Sequence, residues 1–122
     1  MQIERELMRG AGPVAVLKLL QDGPRYGYEL VEALSKQSGG LLAMGQSTLY
    51  PLLYNLESQG VVRGKEQTAD NGRVRKYYSL TPKGKRRLVK DTKQWQAAAV
   101  AMQNLGILPT GSVLPVTEGG LS

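Results

Sequence analysis

The chain has 122 residues, with 16 lysines and arginines against 10 acidic residues, and it contains neither cysteine nor histidine. This length suits one domain with a modest core. The composition excludes disulfides and any zinc or iron site with Cys or His ligands, so we expect no cofactor. The longest apolar runs are a few residues and the N-terminus is charged. The sequence therefore predicts a soluble, cytoplasmic protein without a membrane partner.

The N-terminal part of the chain predicts three helices separated by breaks. Residues 1–9 have helical spacing, and the GAGP stretch after them is expected to break or kink the chain. Pro13 suits the first turn of a second helix, residues 13–21, whose apolar residues are dense enough for a buried element. An Asp-Gly-Pro turn then precedes a third helix, residues 26–38, which two glycines end.

The segment at residues 47–60 predicts a packed helix with a neutral outer face, because it contains no lysine or arginine. Its leucines follow the stripe of a helix on a core: Leu49, Leu52, Leu53 and Leu56. The other face is small, polar or aromatic: Ser47, Pro51, Tyr54, Asn55 and Ser58, with Tyr50 and Glu57 at its edge. Such a face suits contact with base edges and phosphates, and an ordinary exposed polar face is the alternative.

Three residues of this segment carry further expectations. Pro51 is expected in the first turn of the helix, where a proline costs little. Glu57 is expected to face solvent or an ion-pair partner, because phosphates would repel its carboxylate. Gly60 is expected to end the helix in a left-handed conformation.

A basic hairpin is expected next. Two strands, residues 61–68 and 73–80, flank an Asp-Asn-Gly sequence, which is a strong hairpin signal. Between Arg63 and Lys93 the chain carries eleven basic residues against three acidic ones, a local net charge of +8. Such a block indicates a polyanionic partner, most often nucleic acid, and a solvated helix face is the alternative.

The C-terminal part predicts one long helix and a tail. Thr81 and Pro82 suit the start of a helix that continues to about Leu105. Along it, apolar or small residues recur at spacings of four and three: Leu88, Thr92, Trp95, Ala99 and Met102. This seam predicts a homodimer interface, and packing on the first helices is the alternative. Residues 106–122, rich in glycine and proline, are expected to form a flexible tail.

From residue 13 onward the order of the elements, three helices and then a hairpin, is that of a winged helix-turn-helix. The predicted fold class is therefore mainly α with a two-stranded β-wing, followed by a long C-terminal dimerisation helix. The predicted domains are a DNA-binding domain with an N-terminal helical arm, a dimerisation helix and the tail: residues 1–80, 81–105 and 106–122.

Three stretches resemble a known family: LMRGAGPVAVLKLLQDGPRYGYELVEAL, STLYPLLYNLESQGVV and RKYYSLTPKGKRRL. They are similar to the PadR-like family of bacterial and archaeal transcriptional regulators, in its short subfamily with a single C-terminal helix. The resemblance implies a homodimeric winged-helix repressor that binds a palindromic operator in double-stranded DNA. It also implies a small, often aromatic effector, since many relatives respond to one.

The resemblance assigns roles to individual residues. It implies that DNA is contacted by the recognition helix and the wing through Ser47, Thr48, Tyr50, Pro51, Tyr54, Arg73, Arg75 and Lys76. It also implies that Trp95 could hold a flat effector against its symmetry mate, and plain packing of Trp95 is the alternative. Tyr28 and Tyr78 flank apolar positions and are expected to fill the core with their hydroxyls at the surface. Lys83, Lys85, Arg86 and Arg87 are expected on the exposed side of the last helix, with phosphate contact as the alternative.

Other classes of function are less consistent with the sequence. An enzyme is disfavoured because the chain has no His, Cys, nucleophile motif or Gly-rich phosphate loop. Two alternatives to a specific repressor remain open, since a fold does not determine a function. One is a winged-helix adapter between proteins, and the other is a non-specific DNA-binding protein without an effector.

Overall fold

The computed structural model describes residues 1–111. Its elements are α1 (Arg5–Leu20), β1 (Arg25–Tyr26), α2 (Gly27–Gln37), α3 (Gln46–Ser58), β2 (Val62–Thr68), β3 (Val74–Leu80) and α4 (Pro82–Asn104). The three helices, the hairpin and the long last helix confirm the predicted fold class, mainly α with a β-wing.

The first helix corrects a prediction, because α1 continues through the GAGP stretch with Pro13 inside it. Proline removes a backbone hydrogen bond and glycine weakens a helix, so local propensity favours a break here. Packing outweighs that propensity. Gly12 is buried, and a Cβ built on it would lie 3.3 Å from Met44 Cε and 3.5 Å from Leu52 Cδ2. The small residue thus allows α1 to approach α3 closely as one continuous helix.

The sheet corrects a second prediction, because it has three antiparallel strands in the order β1-β3-β2 instead of two. The added strand β1 pairs with β3, with Arg25 opposite Tyr78 and Tyr26 opposite Tyr77. A strand of two residues is too short to show any period in the sequence. Only its pairing with a distant segment defines it.

The hairpin between β2 and β3 confirms the turn predicted from the Asp-Asn-Gly sequence. Gly72 has a φ of 83°, which favours glycine over any residue with a side chain. The N–H of Ala69 donates to the carbonyl of Arg73 at 2.7 Å, and the N–H of Gly72 donates to the carbonyl of Ala69 at 2.9 Å. These bonds close the turn and set the register of the wing.

A single cluster of buried side chains forms the core between the three helices and the sheet. Its fully buried members come from α1, α2, α3, the start of β2 and the end of β3: Val16, Leu17, Leu30, Leu49, Leu53, Leu56, Val61, Val62 and Tyr78. The predicted leucine stripe of α3 is confirmed at three positions, whereas Leu52 is only partly buried. The opposite face of α3 is thereby left exposed beside the wing.

The two tyrosines expected in the core differ. The ring of Tyr78 is buried, as predicted, but its hydroxyl is buried too and does not reach the surface. Tyr28 is 50% exposed, so that prediction was wrong. Tyr28 is the second residue of α2, and its hydroxyl interacts with Glu32 one turn further along the same helix. This hydrogen bond, followed by the negative charge of Glu32, raises the pKa of Tyr28.

Helix α4 begins against the end of α3. The N–H of Gly84 donates to Thr81 Oγ1 at 3.0 Å, which confirms the predicted N-cap, and Thr81 Oγ1 donates to the carbonyl of Gly60 at 2.6 Å. Gly60 has a φ of 76° and follows α3 in the left-handed conformation that was expected. A Cβ built on Gly84 would overlap the carbonyl oxygen of Val61, so only glycine allows α4 to lie this close to Val61.

The chain divides into two compact units, and the boundary follows Leu88. Leu88 is 5% exposed and belongs to the core of the first unit, so the predicted dimer seam loses its first member. In the second unit α4 ends at Asn104, close to the predicted end, and Gly106 has a φ of 82°. The division into domains at residue 80 stays a prediction. The expected flexible tail falls mostly on residues 112–122, which lie outside the described residues.

Candidate nucleic-acid interface

The outer face of α3 is exposed and carries no charge. Its predicted members Ser47, Thr48, Pro51, Tyr54 and Asn55 are all exposed to solvent. The helix begins at a glycine N-cap, Gly45, whose carbonyl accepts from the N–H groups of Thr48 and Leu49 at 3.1 and 3.0 Å. Hydroxyls, an amide and an aromatic ring therefore stand on a rigid element at the surface.

Pro51 lies deeper in α3 than expected. It is inside the helix that starts at Gln46, so it occupies the second turn instead of the first, and that expectation was wrong. A proline has no N–H, so the carbonyl of Ser47 lacks its usual helical donor four residues later. Ser47 and Pro51 are both exposed residues.

The two tyrosines of α3 are placed differently. Tyr54 is 55% exposed, whereas Tyr50 is partly buried against the core. The hydroxyl of Tyr50 lies so close to Gly27 of α2 that a Cβ on Gly27 would overlap it. The ring centroids of Tyr50 and Tyr54 are 6.2 Å apart. Tyr54 is therefore the main aromatic surface of this face, and Tyr50 mainly fixes α3 against α2.

Arg73 and Arg75 lie on the wing in different settings. Arg73 is exposed beside the turn, and its N–H donates to Asn71 Oδ1 at 3.0 Å. The guanidinium carbon of Arg75 lies 4.4 Å from the ring centroid of Tyr26, whose ring contacts that of Tyr77 edge-on at 5.4 Å. Tyr26 is thus a site residue that the sequence did not reveal, because it acts through the short strand β1.

Lys76 faces the other side of the sheet and is held by α3. Its Nζ lies 3.4 Å from Oε1 of Glu57, which confirms Glu57 as an ion-pair residue. The other carboxylate oxygen of Glu57 accepts from the N–H of Gly64 at 3.0 Å. Lys76 Nζ also lies 5.7 Å and 5.4 Å from the ring centroids of Tyr54 and Tyr78. The resemblance assigned a DNA contact to Lys76 as well as to Arg73 and Arg75, and that assignment stays a prediction, although Lys76 lies in a different setting.

Burial and charge shift two pKa values in this region. Burial raises the pKa of Tyr78, although the nearby charge of Lys76 opposes the shift. Partial burial lowers the pKa of Lys76, but interactions with Tyr78 and then Glu57 outweigh that effect, so the pKa is raised overall. Lys76 is therefore a cation at neutral pH.

Two of the basic side chains at the start of α4 support the end of α3. Lys83 Nζ donates to the carbonyl of Gln59 at 2.9 Å, and an Arg87 nitrogen donates to Gln59 Oε1 at 2.8 Å. A cation at the C-terminus of a helix also complements the helix dipole. Lys85 and Arg86 are exposed, and phosphate contact stays an alternative for them.

Residues 1–111 lack two other kinds of site. Within that range, no group of three or more His, Cys, Asp or Glu side chains is arranged to hold a metal ion. None of the helices described is long and apolar enough to cross a membrane.

An exposed neutral helix face beside a basic antiparallel wing is the arrangement of winged helix-turn-helix proteins. The sequence model of the PadR-like family of transcriptional regulators matches residues 16–90, more than half of the chain, and the chain belongs to this family. The protein is therefore a transcriptional regulator and not an enzyme, as the sequence predicted.

Several known chains are similar to this one. A transcriptional regulator of Mycobacterium tuberculosis is 30% identical over 95 residues, which cover 78% of this chain and 85% of the relative. A PadR family regulator from Eggerthella lenta is 35% identical with a TM-score of 0.72, covering 82% of this chain and 85% of that one. Bacillus subtilis PadR in complex with operator DNA is 26% identical with a TM-score of 0.60, covering 66% of this chain and 45% of that one.

Proposed function

We propose that the protein is a homodimeric repressor that binds a palindromic operator and is released by a small aromatic effector. The observation that carries the proposal is the exposed, uncharged face of α3 beside a wing that presents Arg73 and Arg75. Similarity to a PadR that was solved with its operator DNA supports double-stranded DNA as the partner.

In this proposal α3 enters the major groove and the wing follows the flanking backbone. Ser47, Thr48 and Tyr54 contact base edges or the adjacent phosphates, and the compact ring of Pro51 allows close approach. Arg73 and Arg75 contact phosphates. The guanidinium carbon of Arg75 lies 4.4 Å from the ring centroid of Tyr26, and a guanidinium that stacks on an aromatic ring can still donate hydrogen bonds from its edge.

The dimer is proposed to form through the second unit. Trp95 is 44% exposed and Met102 is 41% exposed, and they share one face of α4 with Thr92 and Ala99. One winged helix reads too few base pairs to select a site. Two copies related by a two-fold axis read a palindrome whose half-sites are about 10 base pairs, or a multiple of that, apart.

The effector is proposed to bind between the paired helices. Trp95 and its symmetry mate would stack on a flat aromatic molecule. A ligand that prefers one separation of the two α4 helices shifts the population toward that separation. The two recognition helices then no longer match successive half-sites, so operator affinity falls.

Selection from a random duplex library with the wild-type protein tests this function. We expect an enriched palindrome that binds about 10³-fold or more tightly than a scrambled duplex at the same salt concentration. Tyr54→Ala should reduce this ratio without loss of the fold, because Tyr54 lies outside the core. Leu53→Ala is the contrast, and it should cost about 2–5 kcal/mol of the free energy of unfolding.

Two outcomes would favour the alternatives. Equal affinity for all duplexes would indicate a non-specific DNA-binding protein, and no affinity for DNA would indicate an adapter.

The effector is tested separately, by titration of flat aromatic compounds while Trp95 fluorescence and operator binding are measured. We expect quenching in parallel with release, and quenching without release would place regulation elsewhere.

A further inference from the structure

Glu57 joins the recognition helix to both strands of the wing. One carboxylate oxygen accepts from the N–H of Gly64 on β2 at 3.0 Å, and the other lies 3.4 Å from Nζ of Lys76 on β3. β2 is an edge strand of the sheet, so an amide on its free side needs a partner outside the ladder. Glu57, in the last turn of α3, supplies that partner.

Gly64 makes this arrangement possible. It lies opposite Tyr78 in the register, and a Cβ built on it would overlap Cε of Lys76 and lie 3.1 Å from Tyr78 Cε1. The stem of Lys76 therefore crosses the edge strand through space that only glycine leaves open. The ammonium group that reaches Glu57 in this way also lies near the rings of Tyr54 and Tyr78.

We propose that Glu57 is a positioning residue that locks the wing to the recognition helix and holds Lys76 back from DNA phosphates. A partly exposed ion pair alone would be a weak constraint. Here the same carboxylate also binds a backbone amide, and the lysine stem packs in a channel that a glycine defines. These contacts orient the wing before DNA arrives.

The contacts of Glu57 would limit non-specific binding to DNA, and this part of the proposal rests on the proposed function. Each lysine or arginine that contacts a phosphate adds about one unit to the slope of log affinity against log salt concentration. Such contacts strengthen binding to every sequence alike. Because Glu57 pairs with Lys76, Arg73 and Arg75 are the wing residues that contact phosphates. Discrimination between DNA sequences then depends on α3.

Two substitutions of Glu57 separate the two halves of the proposal. Glu57→Gln keeps an oxygen that can accept from the N–H of Gly64 but removes the charge that holds Lys76. Glu57→Ala removes both interactions. In the free protein we expect the Gly64 amide to stay protected from hydrogen exchange in wild type and in Glu57→Gln, and to lose that protection in Glu57→Ala.

The matched control is Glu66→Gln. Glu66 lies opposite Lys76 in the register of the same hairpin and is exposed, so its substitution makes the same change in net charge. On a DNA duplex of unrelated sequence, we expect the slope of log affinity against log salt concentration to be steeper by about one unit in Glu57→Gln than in Glu66→Gln. Adding Lys76→Gln to Glu57→Gln should return the slope to the wild-type value.

Each contrary result is specific. Equal slopes for Glu57→Gln and Glu66→Gln would overturn the restraint of Lys76. The restraint would also be overturned if Lys76→Gln alone reduced the salt slope as much as Arg75→Gln does. Lys76 would then already contact phosphate in the wild type. Unchanged exchange at Gly64 in Glu57→Ala would overturn the lock on the wing. If the wild type binds no duplex, the proposed function and the restraint of Lys76 both fail, while exchange at Gly64 still decides the lock.

Discussion

At the scale of single residues, Tyr78 places a polar atom in the core. Its side chain is 0% exposed, and its hydroxyl has no hydrogen-bond partner among the residues described. An unpaired buried hydroxyl costs about 1–3 kcal/mol, whereas phenylalanine keeps the ring that fills the site. We therefore expect Tyr78→Phe to leave the free energy of unfolding unchanged or to raise it by about 1 kcal/mol, as measured in urea.

The control for this variant is Tyr77→Phe, on the adjacent residue of the same strand, where the side chain is only partly buried. It should be close to neutral. A loss of more than about 1 kcal/mol in Tyr78→Phe would mean that the hydroxyl has a partner in solution.

The same residue gives stability a pH dependence. Burial raises the pKa of Tyr78, so the folded state resists ionisation more than the unfolded state does. Its contribution is complete below the unfolded pKa of about 10 and is lost as pH rises through the folded pKa. The raised pKa of Lys76 acts in the same direction. Thermal unfolding between about pH 8 and pH 11 should show a smaller alkaline loss in Tyr78→Phe than in wild type.

At the scale of elements, the close contact between α2 and α3 depends on a glycine. Gly27 is the first residue of α2, where alanine would otherwise favour the helix. A Cβ there overlaps the hydroxyl of Tyr50 and lies 2.6 Å from its Cζ. Packing therefore predicts that alanine destabilises the protein, whereas helix propensity predicts that alanine stabilises it. We expect packing to dominate and Gly27→Ala to cost about 1–3 kcal/mol. In a double-mutant cycle, Gly27→Ala should cost much less free energy of unfolding in the Tyr50→Leu background than in wild type.

Gly45→Ala is the matched control for this cycle. Gly45 is the N-cap of α3 with a φ of −83°, and nothing lies within 4 Å of a Cβ built on it. Its substitution should cost at most about 1 kcal/mol, because alanine is a poorer N-cap than glycine. If Gly27→Ala were as mild as this control, Tyr50 would not be what fixes α3 against α2.

The same scale shows what the sequence could predict. The leucine stripe of α3, the Asp-Asn-Gly turn and the Thr81 cap are local signals, so α3, the wing and the start of α4 were predicted within a few residues. The continuity of α1 and the pairing of β1 depend on distant partners, and local propensity predicted the opposite or nothing. Local signals describe an element well only where its own residues determine it.

The candidate site follows the same division. The spacing of the leucines predicted that Tyr54 is exposed. Repulsion by phosphates predicted that Glu57 faces solvent or an ion-pair partner, and it forms an ion pair. Spacing did not predict that Tyr50 packs on Gly27, that Arg75 stacks on Tyr26, or that Lys76 pairs with Glu57. Each of these contacts joins two elements that are separate in the chain, so periodicity within one element contains no information about it.

At the scale of the whole molecule, the proposed dimer can be tested on α4. Met102 is exposed on the predicted seam, and a lysine there would place two like charges across the two-fold axis in an apolar setting. We expect Met102→Lys to sediment as a monomer. Its affinity for the selected operator should fall to the level of a scrambled duplex, a loss of about 10³-fold or more.

The control for this substitution is Ala101→Lys, which adds the same charge to an exposed residue on another face of the same helix. It should stay dimeric and bind the operator as wild type does. Any increase in non-specific affinity from the added charge will then appear equally in both variants. A Met102→Lys protein that remains dimeric would place the interface on a surface other than the Thr92–Met102 stripe. A monomer that keeps full operator affinity would instead show that one winged helix is enough for recognition.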